Sequence, residues 1–419
     1  MTEKKITILT LSDHPLSPSG VGTQTRYIVE GMLKTGRYKF VSLGGAMKHH
    51  DYQPQKTEEY GEDWIIFPVD GYGSQDQVRS ILRTVRPDIL WYMTDPRFYG
   101  WLWEIENEIR VNVPMVYYHV WDNIPYPQFN SKFYRSTDYI ACISKVTHDI
   151  IHTLTPEVGH SYVPHAVDPQ HFSKLPEAHV RQFRETHFEN PEKLVFFWNN
   201  RNARRKQSGT LIWWFKEFLD EVGRDKATLI MHTDPKDVHG QDLEHIMAHL
   251  GLTNGEVMLS KEKISPEHLS MMYNMADCTI NISDAEGFGL ATLESLACET
   301  PIIVNMTGGL QEQVTDGENW FGIGLEPSSK AIIGSQEVPY IYEDRLNKED
   351  FIEAMKKFCS LSPAEREEMG RLGAEHVKKN YNFDTFITQW DELLTEVHET
   401  HGSWENRKNY KPYDFKEIT

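Results

Sequence analysis

Short apolar runs alternate with amphipathic segments along the first half of the chain. An apolar run of about four to eight residues between turn residues predicts a buried strand, and apolar residues three and four positions apart predict a helix. Strands are therefore predicted at Lys5–Leu11, Lys39–Leu43, Trp64–Val69, Asp88–Met93, Pro114–Val120 and Tyr139–Ser144, and helices at Thr23–Lys34, Gln75–Val85, Tyr99–Ile109 and Val146–Leu154. Strands that alternate with helices indicate a parallel, doubly wound sheet, whose ligands gather at the carboxyl ends of its strands.

The same alternation begins again after a polar, proline-flanked stretch at Lys174–Pro191, which predicts a linker and a linking helix. The second set comprises strands at Leu194–Trp198, Ala227–His232, Glu256–Leu259, Cys278–Ile282 and Pro301–Val304, and helices at Leu211–Val222, Pro266–Met275, Leu290–Ala297, Lys348–Phe358, Pro363–Lys379 and Phe383–Val397. Between these helices and strands, Gly324–Arg345 predicts an irregular, mobile loop. A length of 419 residues also favours two domains, which we place at residues 1–175 and 190–380.

Composition is ordinary for a soluble globular protein, with 39% hydrophobic and 25% charged residues. No apolar run approaches the roughly 20 residues that a membrane helix needs, so no transmembrane segment is predicted. The apolar run near the N-terminus is too short for a signal peptide and reads as a first strand. The four cysteines are widely scattered, which is typical of buried thiols in a reducing compartment and predicts a cytoplasmic protein.

The formal net charge of −19 opposes non-specific attraction to nucleic acid or to an anionic membrane. Any dense basic cluster is therefore informative. The densest is Arg201–Lys206, in the loop between the strand Leu194–Trp198 and the next helix. A charge run is usually a solvated face, and that alternative stays open on spacing alone.

The most informative stretch is the loop Glu286–Gly289, which leads from an apolar strand into the helix Leu290–Ala297. The start of such a helix presents unpaired N–H groups and a partial positive charge, which suit a phosphate. Glu286 and Glu294 lie on roughly the same side at the helical period. Carboxylates accept hydrogen bonds from hydroxyl groups, so this pair suits a sugar. The alternative is an ordinary βαβ unit with two solvated acids.

This stretch resembles the retaining family-4 glycosyltransferases, in the E-x7-E spacing of Glu286 and Glu294 and in the positions Gly287–Gly289, Leu293–Cys298, Pro301 and Gly308–Gly309. The resemblance implies an α/β protein of the GT-B fold, in which two doubly wound Rossmann-like domains face each other across a cleft. It also implies that the C-terminal helix and tail, residues 381–419, cross back to the first domain. Glu299 stands where the family usually has glycine, so we expect the helix end to lack its left-handed cap.

What the resemblance implies for the donor is a nucleotide-diphosphate sugar. In the family, the first glutamate, here Glu286, holds hydroxyl groups of the donor sugar, and the second, Glu294, holds the ribose. The backbone of a first glycine loop lies against the diphosphate. The complete set of implied donor-binding residues is Gly20, Val21, Gly22, Gly287, Phe288, Gly289, Leu290, Glu294 and, near the nucleobase, Ile264.

Gly20–Gly22 has two other interpretations, a plain turn or a dinucleotide site. The dinucleotide fingerprint needs a third glycine, but that position is Thr25. It also needs an acid at the end of the second strand, which instead ends in Gly44–Gly45. A nicotinamide enzyme is therefore disfavoured.

Arg201 and Lys206 match the family's R-x4-K pair, which the resemblance implies is a catalytic clamp on the leaving diphosphate. Fixed cations stabilise a developing phosphate charge most where water is excluded. They could also replace a metal ion, and no Asp-x-Asp or histidine-rich spacing suggests a metal site. We therefore predict no metal and no cofactor, with a nucleotide-diphosphate sugar, for which UDP is our choice, as co-substrate.

His119 ends the predicted strand Pro114–Val120. A lone histidine there is often structural, but the resemblance implies a catalytic contact with the transferred sugar near its reacting carbon. The family often has His-Asp here, whereas this chain has His119-Val-Trp-Asp122, which leaves the part of the aspartate open. The following loop is rich in proline and aromatic residues, and it suggests an acceptor wall. The predicted acceptor residues are Trp121, Asp122, Tyr126 and Arg97.

The sequence thus predicts a retaining, metal-independent glycosyltransferase of the hexosyltransferase type. It would move a sugar to a hydroxyl group of a glycan, lipid or small molecule. One alternative acceptor is a hydroxymethylated DNA base, with Arg204 and Arg205 at the entrance, and nucleic acid enters only as that acceptor. A sugar-nucleotide epimerase and a non-catalytic sugar-nucleotide-binding protein are the alternatives of another class.

Overall fold

The first half of the chain forms one mixed sheet with helices on both faces. The computed structural model describes residues 4–413. The strands are β1 Ile6–Asp13, β2 Tyr38–Gly45, β3 Gln55–Lys56, β4 Trp64–Pro68, β5 Ile89–Met93, β6 Met115–His119, β7 Tyr139–Cys142 and β8 Gly159–Tyr162. The helices are α1 Gly20–Lys34, α2 Gln75–Thr84, α3 Gly100–Trp103, α4 Glu106–Arg110, α5 Ser131–Arg135 and α6 Lys145–Leu154. The sheet order is β3-β4-β2-β1-β5-β6-β7-β8, and only β3 is antiparallel to its neighbour.

The second half builds a six-stranded parallel sheet and a separate antiparallel hairpin. Its strands are β9 Leu194–Asn199, β10 Ala227–His232, β11 Val257–Ser260, β12 Cys278–Asn281, β13 Ile302–Asn305 and β14 Gly322–Leu325, and the hairpin is β15 Ser329–Ile333 with β16 Ile341–Arg345. The helices are α7 Glu177–His187, α8 Ser208–Val222, α9 Leu243–His249, α10 Pro266–Met275, α11 Leu290–Ala297, α12 Leu310–Val314, α13 Lys348–Ser360, α14 Pro363–Asn380 and α15 Phe383–His401. The order β11-β10-β9-β12-β13-β14 completes a second doubly wound domain.

In both sheets the direction of winding reverses at one point, where ligands of such folds bind. The reversal lies between β1 and β5 in the first sheet and between β9 and β12 in the second. The loop after β1 leads to Gly20, the loop after β9 carries Lys206, and the loop after β12 carries Glu286. Three of the stretches that the sequence singled out therefore follow strands at these two reversal points.

The last long helix leaves the second domain and packs on the first. In α15, the Trp390 ring centroid lies 5.9 Å from that of Trp91 and 4.8 Å from that of Tyr118. After the helix ends, the Trp404 indole N–H donates a 2.9 Å hydrogen bond to the carbonyl oxygen of Pro87. The predicted return of the C-terminal helix and tail to the first domain is confirmed up to residue 413, and residues 414–419 of that prediction lie outside the described part of the chain.

Two apolar cores belong to the separate domains, and a third runs through both. The third contains Phe288, whose ring centroid lies 5.0 Å from that of His165 in the segment that follows β8. The Lys145 backbone N–H also donates a 2.9 Å hydrogen bond to Glu312 of the second domain. The two domains are therefore packed against each other around the glycine loop before α11.

The prediction of an irregular loop at Gly324–Arg345 is wrong. The stretch contains the end of β14 and the whole β15–β16 hairpin. Its apolar side chains are few because the hairpin lies outside both sheets, and one of them, Val338, is buried against the first domain. The two strands pair with each other, but almost none of their side chains is buried, so no apolar pattern marks them in the sequence.

Two predicted helices differ in extent. Tyr99–Ile109 is broken, because a 3-10 turn at Pro96–Tyr99 precedes the separate helices α3 and α4. The first helix begins at Gly20, since the Ser19 side chain caps it by accepting a hydrogen bond from the N–H of Gly22. The glycine pair therefore lies in the first turn of α1, where its N–H groups point out of the helix.

Candidate active site

A buried ion pair between Lys206 and Glu286 lies at the centre of the site. The Lys206 ammonium contacts Glu286 Oε2, and the two side chains are only 10% and 12% exposed. Burial raises the pKa of Glu286, but the charges of Lys206 and Arg205 outweigh it, so this pKa is lowered. Burial and then Arg205 lower the pKa of Lys206 to about 8, against the opposing effect of Glu286. At neutral pH the site therefore holds a cation beside a carboxylate, with little water around either.

Arg205 and Asp122 complete a charged group that spans both domains. The Arg205 guanidinium donates a hydrogen bond to the carbonyl oxygen of Ala285, which precedes Glu286. Asp122 comes from the loop after β6 in the first domain, and its Oδ2 lies 3.7 Å from where a Cβ on Gly287 would stand. Burial raises the pKa of Asp122 to about 6, and Arg205 and Lys206 oppose that shift.

The start of α11 presents unengaged backbone N–H groups. Among residues 4–413, the N–H groups of Gly287, Phe288, Gly289 and Leu290 meet no acceptor, and no side chain caps this helix. The carbonyl oxygens of Glu286, Phe288 and Gly289 are occupied, and that of Phe288 accepts a 2.7 Å hydrogen bond from Gln313. Gly289 has a φ of 91°, a left-handed conformation that favours glycine. The loop is therefore fixed with its donors free, as an anion seat requires.

The first turn of α1 faces this seat from the other domain. A Cβ on Gly20 would stand 2.9 Å from Leu290 Cδ1, which brings the starts of α1 and α11 into direct proximity. The N–H groups of Gly20 and Val21 also meet no acceptor within the described residues. Gly22 is needed for close packing within its own loop, because a Cβ there would stand only 2.7 Å from the carbonyl oxygen of His14.

Glu294 lies on the same helix as this seat and has no cationic partner among residues 4–413. Its Oε2 accepts a 2.6 Å hydrogen bond from Tyr273, whose hydroxyl accepts one of 2.8 Å from Asn199. Burial raises the pKa of Glu294 to about 7, against the lowering effect of Tyr273. The charge of Glu294 also contributes, after burial, to the raised pKa of Tyr27 on α1 in the first domain.

Of two other predicted donor-binding residues, Phe288 is buried in the core and Ile264 lies at the edge of the second sheet. Phe288 is almost completely buried, and its ring packs on His165 and Tyr381, so only its backbone can face a ligand. Ile264 is half-buried in the loop between β11 and α10, at the carboxyl edge of the second sheet.

His119 is engaged inside the first domain. Its Nδ1 lies 3.1 Å from the carbonyl oxygen of Thr147, so it carries the proton, and Nε2 then accepts from the Tyr134 hydroxyl at 2.9 Å. Burial lowers its pKa to about 3. The last residue of β6 turns its side chain into the core between the sheet and the following helices, so the predicted sugar contact has no support in the structure. Asp122, three residues later, faces the Lys206–Glu286 pair instead.

Arg201 also lies away from the pair. Its side chain is 62% exposed, and the guanidinium binds Asp237 with N–O distances of 2.6 and 3.2 Å. The 3-10 turn at Arg204–Lys206 lies between the two members of the R-x4-K spacing, and only Lys206 contacts Glu286. Arg205, named from the sequence only for a possible DNA entrance, takes the inner position. The basic cluster was the only signal for it.

Of the four predicted acceptor residues, only Asp122 faces the ion pair. Trp121 is buried and packs on Phe129, with ring centroids 5.6 Å apart. Tyr126 packs against the core of the first domain. Arg97 is held by both oxygens of Asp95, with N–O distances of 3.0 and 2.7 Å.

The described residues carry no metal site of the usual kind and no membrane helix. No group of three or more His, Cys, Asp or Glu side chains in residues 4–413 is arranged to hold a metal ion. Within the same range, every helix is too short or too polar to cross a bilayer.

Solved structures identify the class of fold. A sucrose-phosphate synthase from Thermosynechococcus elongatus superposes over 94% of this chain and 100% of that chain, with a TM-score of 0.75 at 15% identity. Anabaena HepE in complex with UDP and glucose superposes over 93% of this chain and 100% of that chain, with a TM-score of 0.68 at 14% identity. At such identities the likeness shows the fold alone, and it confirms the predicted GT-B architecture.

The second domain matches a known family of enzymes. Residues 181–375 match the family described as glycosyl transferases group 1, a range that includes both Lys206 and Glu286. The second domain is therefore similar to this group, which is the class that the resemblance predicted, over a range of just under half of the chain.

Similarity to a curated relative is limited to part of that protein. The D-inositol 3-phosphate glycosyltransferase of Paenarthrobacter aurescens is 28% identical over 138 residues, which are 33% of this chain and 28% of that protein. Because this chain spans less than a third of that relative, the donor, the acceptor and the stereochemistry of the reaction here are matters for proposal.

Proposed function

We propose that this protein is a retaining, metal-independent glycosyltransferase that moves a sugar from a nucleotide-diphosphate donor, a UDP-sugar, to a hydroxyl acceptor. One observation carries the proposal: the buried Lys206–Glu286 pair adjoins the free N–H groups at the start of α11, with Gly20 of α1 opposite Leu290. A diphosphate between two helix starts would receive N–H groups and partial positive charge from both domains.

The cations would act on the leaving group. As the sugar departs, negative charge develops on the diphosphate, and Lys206 and Arg205 are fixed near it with little water. Removing one such donor costs about 10²–10³ in turnover in comparable sites. Arg201 would first have to leave Asp237 to reach that charge.

The two glutamates would recognise hydroxyl groups. Glu286 has one oxygen on Lys206, and its other oxygen remains to accept from the donor sugar. Glu294 accepts from Tyr273 through Oε2, which leaves Oε1 for the ribose. Its lack of a cationic partner within the described residues supports this role, because a buried carboxylate needs compensation that two hydroxyl groups supply.

We propose that Asp122 takes the place beside the transferred sugar that was predicted for His119. The bond from the sugar carbon to the diphosphate oxygen breaks, and the acceptor oxygen bonds to that carbon on the same face. The acceptor proton passes to the departing phosphate oxygen. Asp122, opposite Glu286, would stabilise positive charge on the sugar while ionised.

The acceptor class that we propose is a glycan, a lipid or a small molecule. The alternative of a DNA-base acceptor rested on Arg204, Arg205 and the aromatic loop at the entrance of the site. Arg204 instead binds Glu343 at 2.6 and 2.8 Å, and Arg205 binds the carbonyl oxygen of Ala285. A cytoplasmic location is proposed from the four cysteines, which are all free.

A panel of nucleotide-sugars tests the proposal. We expect at least one UDP-sugar to release UDP, and mass spectrometry to find the sugar on water or on an added acceptor. Chelation of divalent ions should leave the rate unchanged. Conversion of the donor into an isomer without an acceptor would identify an epimerase instead, and stabilisation by a donor without any release would identify a binding protein.

A further inference from the structure

The β15–β16 hairpin belongs to the second domain in sequence, but its end is attached to the first. The Tyr342 N–H donates a 2.6 Å hydrogen bond to the carbonyl oxygen of Ile124, and the two residues form an antiparallel bridge. The Asn123 side-chain amide donates to the carbonyl oxygen of Tyr342 at 3.2 Å. Val338, in the turn of the hairpin, is 4% exposed within the core of the first domain.

The other end of β16 is attached to the catalytic loops of the second domain. The Asp344 N–H donates a 2.9 Å hydrogen bond to the carbonyl oxygen of Asp284, and Arg345 binds the Asp284 carboxylate at 2.9 Å. Glu343, almost completely buried, binds Arg204 at 2.6 Å. Asp284 lies two residues before Glu286, and Arg204 two residues before Lys206.

A single short strand therefore joins the loop that carries Asp122 to the loops that carry Glu286 and Lys206. Asn123 and Ile124 are the residues directly after Asp122, so the contacts with Tyr342 hold the backbone next to that carboxylate. The chain offers no other element that contacts both sides through β-type pairing within residues 4–413.

We propose that the β15–β16 hairpin is a positioning element that sets Asp122 against the Lys206–Glu286 pair across the cleft. This inference rests on the function proposed above. Displacing a group by about 1 Å from its productive position can cost about 10² in rate. The contribution of the hairpin is therefore to turnover, while nucleotide binding depends on the second domain and the glycine turns.

Three variants test the proposal in the full-length protein. Val338→Asn places a polar group in the apolar core of the first domain and loosens the end of the hairpin. Val338→Ile keeps an apolar anchor. Ile332→Asn makes the same kind of change on the same hairpin at a side chain that is 71% exposed, so it serves as the matched control.

Two readouts apply to all three variants: UDP release from a UDP-sugar at saturation, with UDP-glucose as the first probe, and UDP affinity by calorimetry. We expect Val338→Asn to lower turnover about tenfold or more, with UDP affinity within about twofold of the wild type. The other two variants should match the wild type. Unchanged turnover in Val338→Asn overturns the proposal, and so does an equal loss of UDP affinity, which would mean that the hairpin only supports the donor site.

Hydrogen exchange separates a failure of this inference from a failure of the proposed function. If the wild type does not release nucleotide from any donor, the proposed function fails. The amide hydrogen exchange of residues 121–126 then still tests whether the hairpin positions that loop. Faster exchange there in Val338→Asn than in Ile332→Asn supports the positioning role. Equal exchange in both variants refutes it.

Discussion

At the scale of single residues, four ionisable side chains form the charged group of the site. They are Lys206, Glu286 and Arg205 from the second domain and Asp122 from the first. Lys206 and Glu286 were both predicted from the sequence, because each lies in a motif that follows an apolar strand. Their direct pairing, and the inner position of Arg205, were not predictable. Those depend on a 3-10 turn at Arg204–Lys206 that has no signature beyond three adjacent basic residues.

The buried Glu294 should lower the stability of the protein when it is ionised, although the ionised form is the one proposed to bind the ribose. The native state keeps its proton up to about pH 7, whereas the unfolded chain releases it near 4.5, so the unfolded state binds fewer protons in between. Stability should therefore fall as pH rises from 4.5 to 7, by the order of 1–3 kcal/mol. Glu294→Gln should flatten this slope in urea unfolding and weaken UDP affinity in calorimetry. An unchanged affinity would remove the ribose role.

Single substitutions of Asp122 and His119 should have different effects, the first on activity and the second on stability. Asp122→Asn should lower UDP release about 10²-fold and leave the unfolding midpoint in urea close to that of the wild type. His119→Ala leaves Tyr134 and the Thr147 carbonyl without their buried partner, so it should cost about 2–4 kcal/mol of stability. The reverse pattern would restore His119 as the residue at the sugar.

At the scale of elements, the helix α11 shows how a departure from the family pattern is accommodated. Glu299 follows the C-cap of α11 and has a φ of 60°, so the left-handed cap is kept and the expectation that it is lost is wrong. A side chain in this conformation costs roughly 1–2 kcal/mol. The tight packing of α14 fixes the backbone there, because a Cβ on Gly370 would overlap the carbonyl oxygen of Glu299.

Replacing this residue by the family's glycine should therefore stabilise the protein. Glu299→Gly relieves the left-handed strain but increases the freedom of the unfolded chain, and we expect a net gain of about 1 kcal/mol in urea unfolding. Glu299→Ala keeps the strain and should show no comparable gain. An equal effect of both changes would mean that the carboxylate, and not the backbone, carries the cost.

Regular elements were predictable where the pattern is local, and the hairpin was not. Strands such as Leu194–Asn199 are continuous apolar runs, and helices such as α8 have a buried face at the helical spacing. The two strands of the hairpin pair with each other, but almost none of their side chains is buried, so no apolar pattern marks them. The hairpin also pairs with Ile124 through Tyr342, more than two hundred residues away in sequence. No window of the sequence contains both halves of such a contact.

At the scale of the whole molecule, the C-terminal segment is bound to several parts of the first domain. Arg407 binds Asp138 at 2.9 Å, and Arg110 binds the same carboxylate at 3.1 Å. Both Arg407 and Asp138 are almost completely buried. The polar composition of this segment gave no sign of such packing, whereas the two-domain division followed from the repeated alternation of strands and helices.

Arg407→Ala should therefore destabilise the first domain without affecting the site. It leaves a buried carboxylate with one cation in place of two, and we expect a loss of about 3 kcal/mol in urea unfolding. Arg371→Ala, which breaks exposed pairs with Glu368 and Glu375 on α14, should leave the unfolding midpoint in urea close to that of the wild type. UDP affinity should be unchanged in both, and a fall in the first would mean that the segment also acts on the cleft.

The central claim is that the cleft between the domains holds a nucleotide-diphosphate sugar whose departing phosphates meet Lys206. UDP release from the preferred donor at saturation, compared between the wild type, Lys206→Ala and Arg201→Ala, tests this most directly. We predict a loss of about 10²–10³ in Lys206→Ala and a loss below about tenfold in Arg201→Ala, whose guanidinium is bound to Asp237. Full activity of Lys206→Ala would contradict the account.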